Sequence, residues 1–150
     1  MNDLYEQDFF AWANTQAALL RGGHLAQADI DHIAEEIESM GKSELRELEN
    51  RLAVLFLHLV KWQFQPQRRG RSWELTIKEQ RRKLKRHLDQ NPSLRPRLVQ
   101  AMDDAYGDAI LEAARETDLP EETFPSVRPF TYTQILDDHW LPDGIFEQPI

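Results

Sequence analysis

The sequence predicts an all-α protein: a helical bundle of four to six helices with a long central helix and a Pro-rich C-terminal tail packed on it. Three observations carry this. Neither glycine nor proline falls between Gly41 and Pro66, in a stretch rich in Leu, Glu and Arg that favours helix. Apolar residues recur at helical spacing through most of the chain. Five of the eight prolines, Pro120, Pro125, Pro129, Pro142 and Pro149, lie beyond Asp118, where long helices must stop. The expected organisation is one domain over residues 1–150, with the bundle at about 4–117 and the tail, holding a short helix, at about 118–150.

The first helix is expected from Leu4 to Arg21, with Phe9, Trp12, Ala13, Gln16 and Leu20 on one face and Gly22-Gly23 as its stop. Asp29 is placed to cap the second, whose face is Ile30, Ile33, Ala34, Ile37 and Met40. That stripe continues in phase through Leu45, Leu48, Leu52, Leu55, Leu59 and Trp62. The reading is therefore one helix of about 35 residues, kinked or broken near Gly41. Pro66 ends it, because proline disfavours helical geometry in the residue before it. After a basic loop, Ser72 is expected to cap a helix from Trp73 to about Gln90, with Trp73, Ile77, Leu84 and Leu88 apolar. Asn91-Pro92-Ser93 turns the chain into a helix from Leu94 to about Thr117, with Pro96 in its first turn. Its face is Leu98, Ala101, Met102, Ala105, Tyr106, Ala109, Ile110 and Ala113. Thr131-Tyr132-Thr133-Gln134 reads as a capping box opening a short helix to about Trp140. Phe124, Phe130, Trp140 and Phe146 need burial, which lays the tail across the bundle.

Composition removes several classes of function. The chain has no cysteine, so disulfides, thiolate metal sites and cysteine nucleophiles are excluded. Its longest apolar run, Leu52 to Val60, is interrupted by His58 and falls far below the roughly 20 residues of a membrane span. Asp3, Glu6 and Asp8 leave no basic n-region for an export signal, so the expected place is the cytoplasm. The net charge of −8 disfavours a dedicated coat for duplex DNA.

Four groups of residues bear on chemistry. His58, Lys61, Trp62 and Gln65 share an edge of the central stripe, and Thr76, Gln80 and Arg81 flank the stripe of the next helix. A short loop makes these helices antiparallel neighbours, so the two sets are expected to form a polar network, a small-molecule or anion pocket, or a proton-transfer site at His58. Arg68, Arg69, Arg71 and Ser72 combine guanidiniums with a helix N-terminus, a combination suited to phosphate or an acidic peptide. His32 and Glu36 stand at i, i+4, but neither HExxH nor a pair of Glu-x-x-His motifs is present, so the expectation is no metal and no cofactor. His24 and His87 read as surface residues, and His139 has no evident partner.

Charge is strongly segregated. Lys61 to Leu88 holds ten basic residues against Glu74 and Glu79, whereas Asp29 to Glu49 holds eight acids against Lys42 and Arg46. The basic helix is expected to pair with this acidic helix, in the same bundle or in a second subunit. The alternative is nucleic-acid binding by the face Lys78, Arg82, Lys85 and Arg86.

The chain also resembles a known family. Tyr5-Glu6-Gln7-Asp8-Phe9 with Trp12, Leu19-Leu20-Arg21, Ile33-Ala34-Glu35-Glu36-Ile37-Glu38-Ser39-Met40-Gly41 and His58-Leu59-Val60-Lys61-Trp62-Gln63-Phe64-Gln65-Pro66 carry the likeness. Arg71-Ser72-Trp73, Thr76-Ile77, Gln80-Arg81, Pro92-Ser93-Leu94 and Tyr106 complete it. These resemble the bacterial family catalogued as domain of unknown function 29, known chiefly from cyanobacteria and proteobacteria. Val60 stands where that family more usually has leucine, a packing-neutral difference. The resemblance implies a bacterial, helical, single-domain protein and brings no reaction, cofactor or catalytic residue. The expected function is a non-enzymatic interaction or binding module forming a homodimer, with another protein as a further possible partner and no membrane. The alternatives are a nucleic-acid-associated protein using residues 68–86 and an enzyme with a site around His58, Gln65 and Arg81.

Overall fold

The computed structural model describes residues 4–143, among which every regular element is helical. Six α-helices follow in order: α1 (Leu4–Gln7), α2 (Phe9–Arg21), α3 (Ile30–Phe64), α4 (Arg71–Gln90), α5 (Leu98–Thr117) and α6 (Tyr132–Leu136). Phe146 lies outside the described residues. The chain divides into two compact units, Met1–Ser43 and Glu44–Ile150, and α3 runs from one into the other.

Local chemistry explains where the helices start and stop. The expected Leu4–Arg21 helix is divided at Asp8, whose extended backbone (φ −151°) and carboxylate, accepting the Ala11 N–H at 3.0 Å, cap α2. Gly23 follows α2 at φ 74°, a conformation that L side chains rarely adopt. Helix α3 is continuous across Gly41, where one glycine costs only about 1 kcal/mol relative to alanine. Gly70, not Ser72, occupies the cap position of α4, and Ser72 lies inside the first turn. Pro92–Arg97 forms a 3-10 segment rather than the first turn of α5, because Pro96 lacks an N–H and disfavours helix at Arg95. Thr131 and Gln134 form the expected capping box, but α6 ends at Leu136 instead of reaching Trp140, since Asp137 turns extended.

The unit Glu44–Ile150 holds the core. The second part of α3 supplies Leu48, Leu52, Leu55, Phe56, Leu59 and Val60, α4 supplies Ile77, Leu84 and Leu88, and all eight expected positions of α5 are buried. A buried leucine contributes on the order of 2 kcal/mol, so this cluster dominates stability. The proline-rich tail packs on it through Phe124, Phe130 and Ile135. Phe130 stacks on Phe56 at 5.9 Å and meets Trp140 edge-on at 5.8 Å. Polar clasps fix the tail's register: Tyr106 Oη donates to Pro125 O at 2.7 Å, and Arg128 Nε to Asp103 at 2.9 Å. Burial pushes the Tyr106 phenol up to about 12.

The unit Met1–Ser43 is held differently. Trp12 Nε1 donates to Asp29 Oδ2 at 3.1 Å, Asp29 N donates to Gln16 Oε1 at 2.7 Å, and Tyr5 Oη donates to Glu36 at 3.1 Å. The Tyr5 ring stacks on His32 at 3.9 Å. Trp12 is the one buried side chain among its described residues. Phe9, Phe10, Leu20, Leu25, Ile30, Ile37 and Met40 are exposed, so the first turns of the predicted apolar stripe of α3 face solvent at Ile30, Ile37 and Met40.

Candidate functional site

The expected polar cluster has its hydrogen bonds elsewhere. Arg81, 1% exposed, donates from Nε to Ile135 O at 3.0 Å and from Nη2 to Gln134 O at 3.2 Å. Its guanidinium is thus engaged by the tail rather than by His58 or Gln65. His58 Nδ1 lies 2.8 Å from Val54 O, the carbonyl one turn back in its own helix, which places the ring proton on that nitrogen. Burial holds the His58 imidazole below its ordinary value, and the Lys61 cation adds to this. Lys61 pairs with Glu116 at 2.7 Å and stands 4.9 Å from the Trp73 ring. Trp62 and Gln65 are buried, and Thr76 and Gln80 are half-buried. Gln80 Oε1 is enclosed without a hydrogen-bond partner.

The basic loop is divided. Arg69 turns inward, donating from Nε to Trp62 O at 2.6 Å with its guanidinium 5.1 Å from the Trp62 ring. Arg68, Arg71 and Ser72 remain exposed. The loop therefore offers two free guanidiniums, not three, and no capping hydroxyl.

His87, read from sequence as a surface residue, is 3% exposed. Its Nε2 lies 2.8 Å from Glu44 O and its Nδ1 2.9 Å from Glu47 Oε2, so both flanking groups are acceptors. The ligand atoms of Glu44, Glu47 and His87 lie within 4.8 Å of one another, but these contacts already account for both ring nitrogens. The only signal for its burial in the sequence was its place beside Leu84 and Leu88 at the edge of the α4 stripe. The His32–Glu36 pair does not converge: His32 Nδ1 contacts Asp29 at 2.7 Å, whereas Glu36 accepts from Tyr5.

The expected pairing between the basic and acidic helices is limited to His87. Lys85 instead pairs with Asp138 of the tail at 2.7 Å, and Lys83 with Glu79 of its own helix at 3.6 Å. Lys78, Arg82 and Arg86 are exposed and have no hydrogen-bond or ion-pair partner among the described residues. They stand at i, i+4 and i+8, forming one solvent-facing ridge at steps of about 6 Å. Leu75, 53% exposed, lies in the same stripe. Beside the ridge runs an open groove of about 850 Å³ between α4 and the tail residues Asp138, His139 and Leu141. Ile77 and Leu141 give it an apolar floor, while Glu74, Asp89 and Asp138 put carboxylates along it. The groove thus joins an apolar floor to charges of both signs, with Lys78, Arg82 and Arg86 beside Glu74, Asp89 and Asp138 in its lining.

A family model described as "Domain of unknown function DUF29" matches residues 4–141 of the chain. No curated protein and no solved structure matches it.

Proposed function

We propose, for a chain that belongs to the domain of unknown function DUF29 family, a non-enzymatic role as an interaction module that works as a homodimer. One observation carries this reading. Among the described residues of the unit Met1–Ser43, seven large apolar side chains from Phe9 to Met40 are exposed and only Trp12 is buried. A helical segment of this size cannot build a self-sufficient core, and its apolar face calls for a partner surface. A second copy is the common solution for soluble chains. We read the chain as one functional domain, because α3 passes without interruption through both units. A cytoplasmic place goes with this reading, supported by the charge-rich composition and the absence of cysteine. Among the described residues no helix is long and apolar enough to cross a membrane.

Light scattering on the wild type at micromolar concentration tests it: a dimer is expected. Ile37→Glu combined with Met40→Glu is expected to give a monomer that still folds, since both positions are exposed and lie outside the core. A wild type that stays monomeric overturns the reading.

Nucleic-acid binding by 68–86 keeps one supporting observation, the unpaired ridge Lys78, Arg82 and Arg86. An enzyme centred on His58, Gln65 and Arg81 has less support, because Arg81 and His58 are committed to backbone carbonyls.

A further inference from the structure

A homodimer leaves open which surface of the partner receives the acidic, apolar segment. Resting on that homodimer, we infer that the groove and ridge of α4 receive the first turns of α3 from a second copy of this chain. Asp31, Glu35 and Glu38 of one copy then face Lys78, Arg82 and Arg86 of the other.

Charges without partners lie on both helices. Asp31, Glu35 and Glu38 are exposed, and none has a hydrogen-bond or ion-pair partner among the described residues. The opposite flank of the same helix is already occupied, since His32 and Glu36 bind Asp29 and Tyr5. At 100° per residue the three free acids lie within about 60° of one another, centred about 140° round the helix from Ile30, Ile37 and Met40. The α4 surface is the counterpart: three free cations, Leu75 one turn before them, and an apolar floor at Ile77 and Leu141. Successive charges are about 6 Å apart along both helices where four residues separate them, so the two bands can run alongside each other.

Charge selects against the simplest alternative arrangement. Residues 4–43 carry seven acids and two basic residues, so two such segments packed only on one another bring like charges together. Docking each on the partner's α4 places opposite charges in contact, and a two-fold axis makes the contact twice. Nucleic acid fits the groove less well. Among the described residues no Phe, Tyr or Trp lines it for base stacking. Leu75 and the apolar floor match an amphipathic helix rather than a sugar–phosphate chain.

Sedimentation velocity at low salt tests the inference with three variants. They are Lys78→Glu/Arg82→Glu/Arg86→Glu, Asp31→Lys/Glu35→Lys/Glu38→Lys, and the combination of all six changes. Each reversal alone is expected to weaken dimerisation at least about tenfold, and the combination to restore it. The chain has no cysteine, so Glu35→Cys mixed with Arg82→Cys should give a disulfide-linked species of twice the monomer mass. This cross-link remains readable if a triple variant fails to fold. If wild type is a dimer that tolerates the α4 reversal and yields no cross-link, this inference fails while the proposed function stands. If wild type is a monomer, the proposed function itself fails. If wild type binds short RNA and the α4 reversal abolishes that binding without changing the oligomeric state, the ridge serves nucleic acid and the inference is overturned.

Discussion

Arg81 Nε lies 3.0 Å from the carbonyl oxygen of Ile135, so a buried guanidinium on α4 fastens the capping-box helix α6 to the bundle. The second bond, to Gln134 O, engages the same fork. Burial holds this guanidinium below its ordinary value, with Asp137 and Asp138 opposing the shift, yet arginine stays charged at any ordinary pH. The cost of burying the cation is offset only because both carbonyls and the nearby acids face it.

Arg81→Met is therefore expected to destabilise the protein by about 2–4 kcal/mol, by stranding the buried Ile135 carbonyl and stripping the clasp from α6. Arg81→Lys should recover only part, since an ammonium cannot reproduce the planar fork. Urea unfolding followed by tryptophan fluorescence reads both. A change under about 0.5 kcal/mol for Arg81→Met would show that the clasp is not structural.

Leu55 is fully enclosed in the core face of α3. Leu55→Asp is expected to abolish folding, because it buries a charge with no partner. Leu55→Ala should fold at a cost of about 2–5 kcal/mol. Circular dichroism melts of the two variants check the pair, and a wild-type melt for Leu55→Asp would contradict the placement.

The contact between Asp29 and His32 in the unit Met1–Ser43 depends on pH. Its hydrogen bond lowers the Asp29 carboxyl and raises the His32 imidazole. The raised His32 contributes stability that is present below its unfolded value of about 6.5 and is lost as pH rises through its folded value. The lowered Asp29 contributes stability present above its unfolded value of about 3.9 and lost as pH falls through its folded value. The contact is expected to be strongest between those two limits. An NMR titration of His32 should show a lower midpoint in Asp29→Asn than in wild type, and equal midpoints would reject the linkage.

Asp118 closes α5 at φ 59°, the one non-glycine residue in the left-handed region among those described. Asp118→Gly removes the steric penalty of that conformation but loosens the unfolded chain, so the net gain is expected to be within about 1 kcal/mol. Asp118→Val should lose more than about 1 kcal/mol, because a β-branched side chain tolerates this conformation poorly. Paired urea melts give the sign of each.

The α5 face was readable residue by residue, from Leu98 to Ala113, because an amphipathic helix in a bundle writes its buried side into the 3.6-residue period. So were Leu48, Leu52, Leu55, Leu59 and Trp62, though not the buried Phe56, Leu57 and Val60 beside them, and the capping box at Thr131, whose cause is local. Boundaries were legible only where a local signal acted alone. The capping side chain of Asp8 divided one predicted helix, and Gly70 displaced Ser72 from its cap position. Among the candidate residues, sequence placed His58 and Arg81 on the right helix edges but not with the right partners. Arg81 is bonded 54 residues away, to Ile135 O, and no spacing rule reaches that far.

What the sequence determined by itself was the periodic part: helix type, the apolar stripe along the central helix and the charge contrast between Asp29–Glu49 and Lys61–Leu88, whereas continuity through Gly41 came from the structure. The tertiary structure alone decided what covers each of those sides. Ile37 and Leu55 lie on one continuous stripe, yet Ile37 is 59% exposed and Leu55 is fully buried. Periodicity is set by backbone geometry within one helix, whereas burial requires atoms brought from α4, α5 and the tail. The same division separates His87 from its neighbours on α4: its residue type and position were plain, but its enclosure depends on Glu44 and Glu47, supplied by another helix.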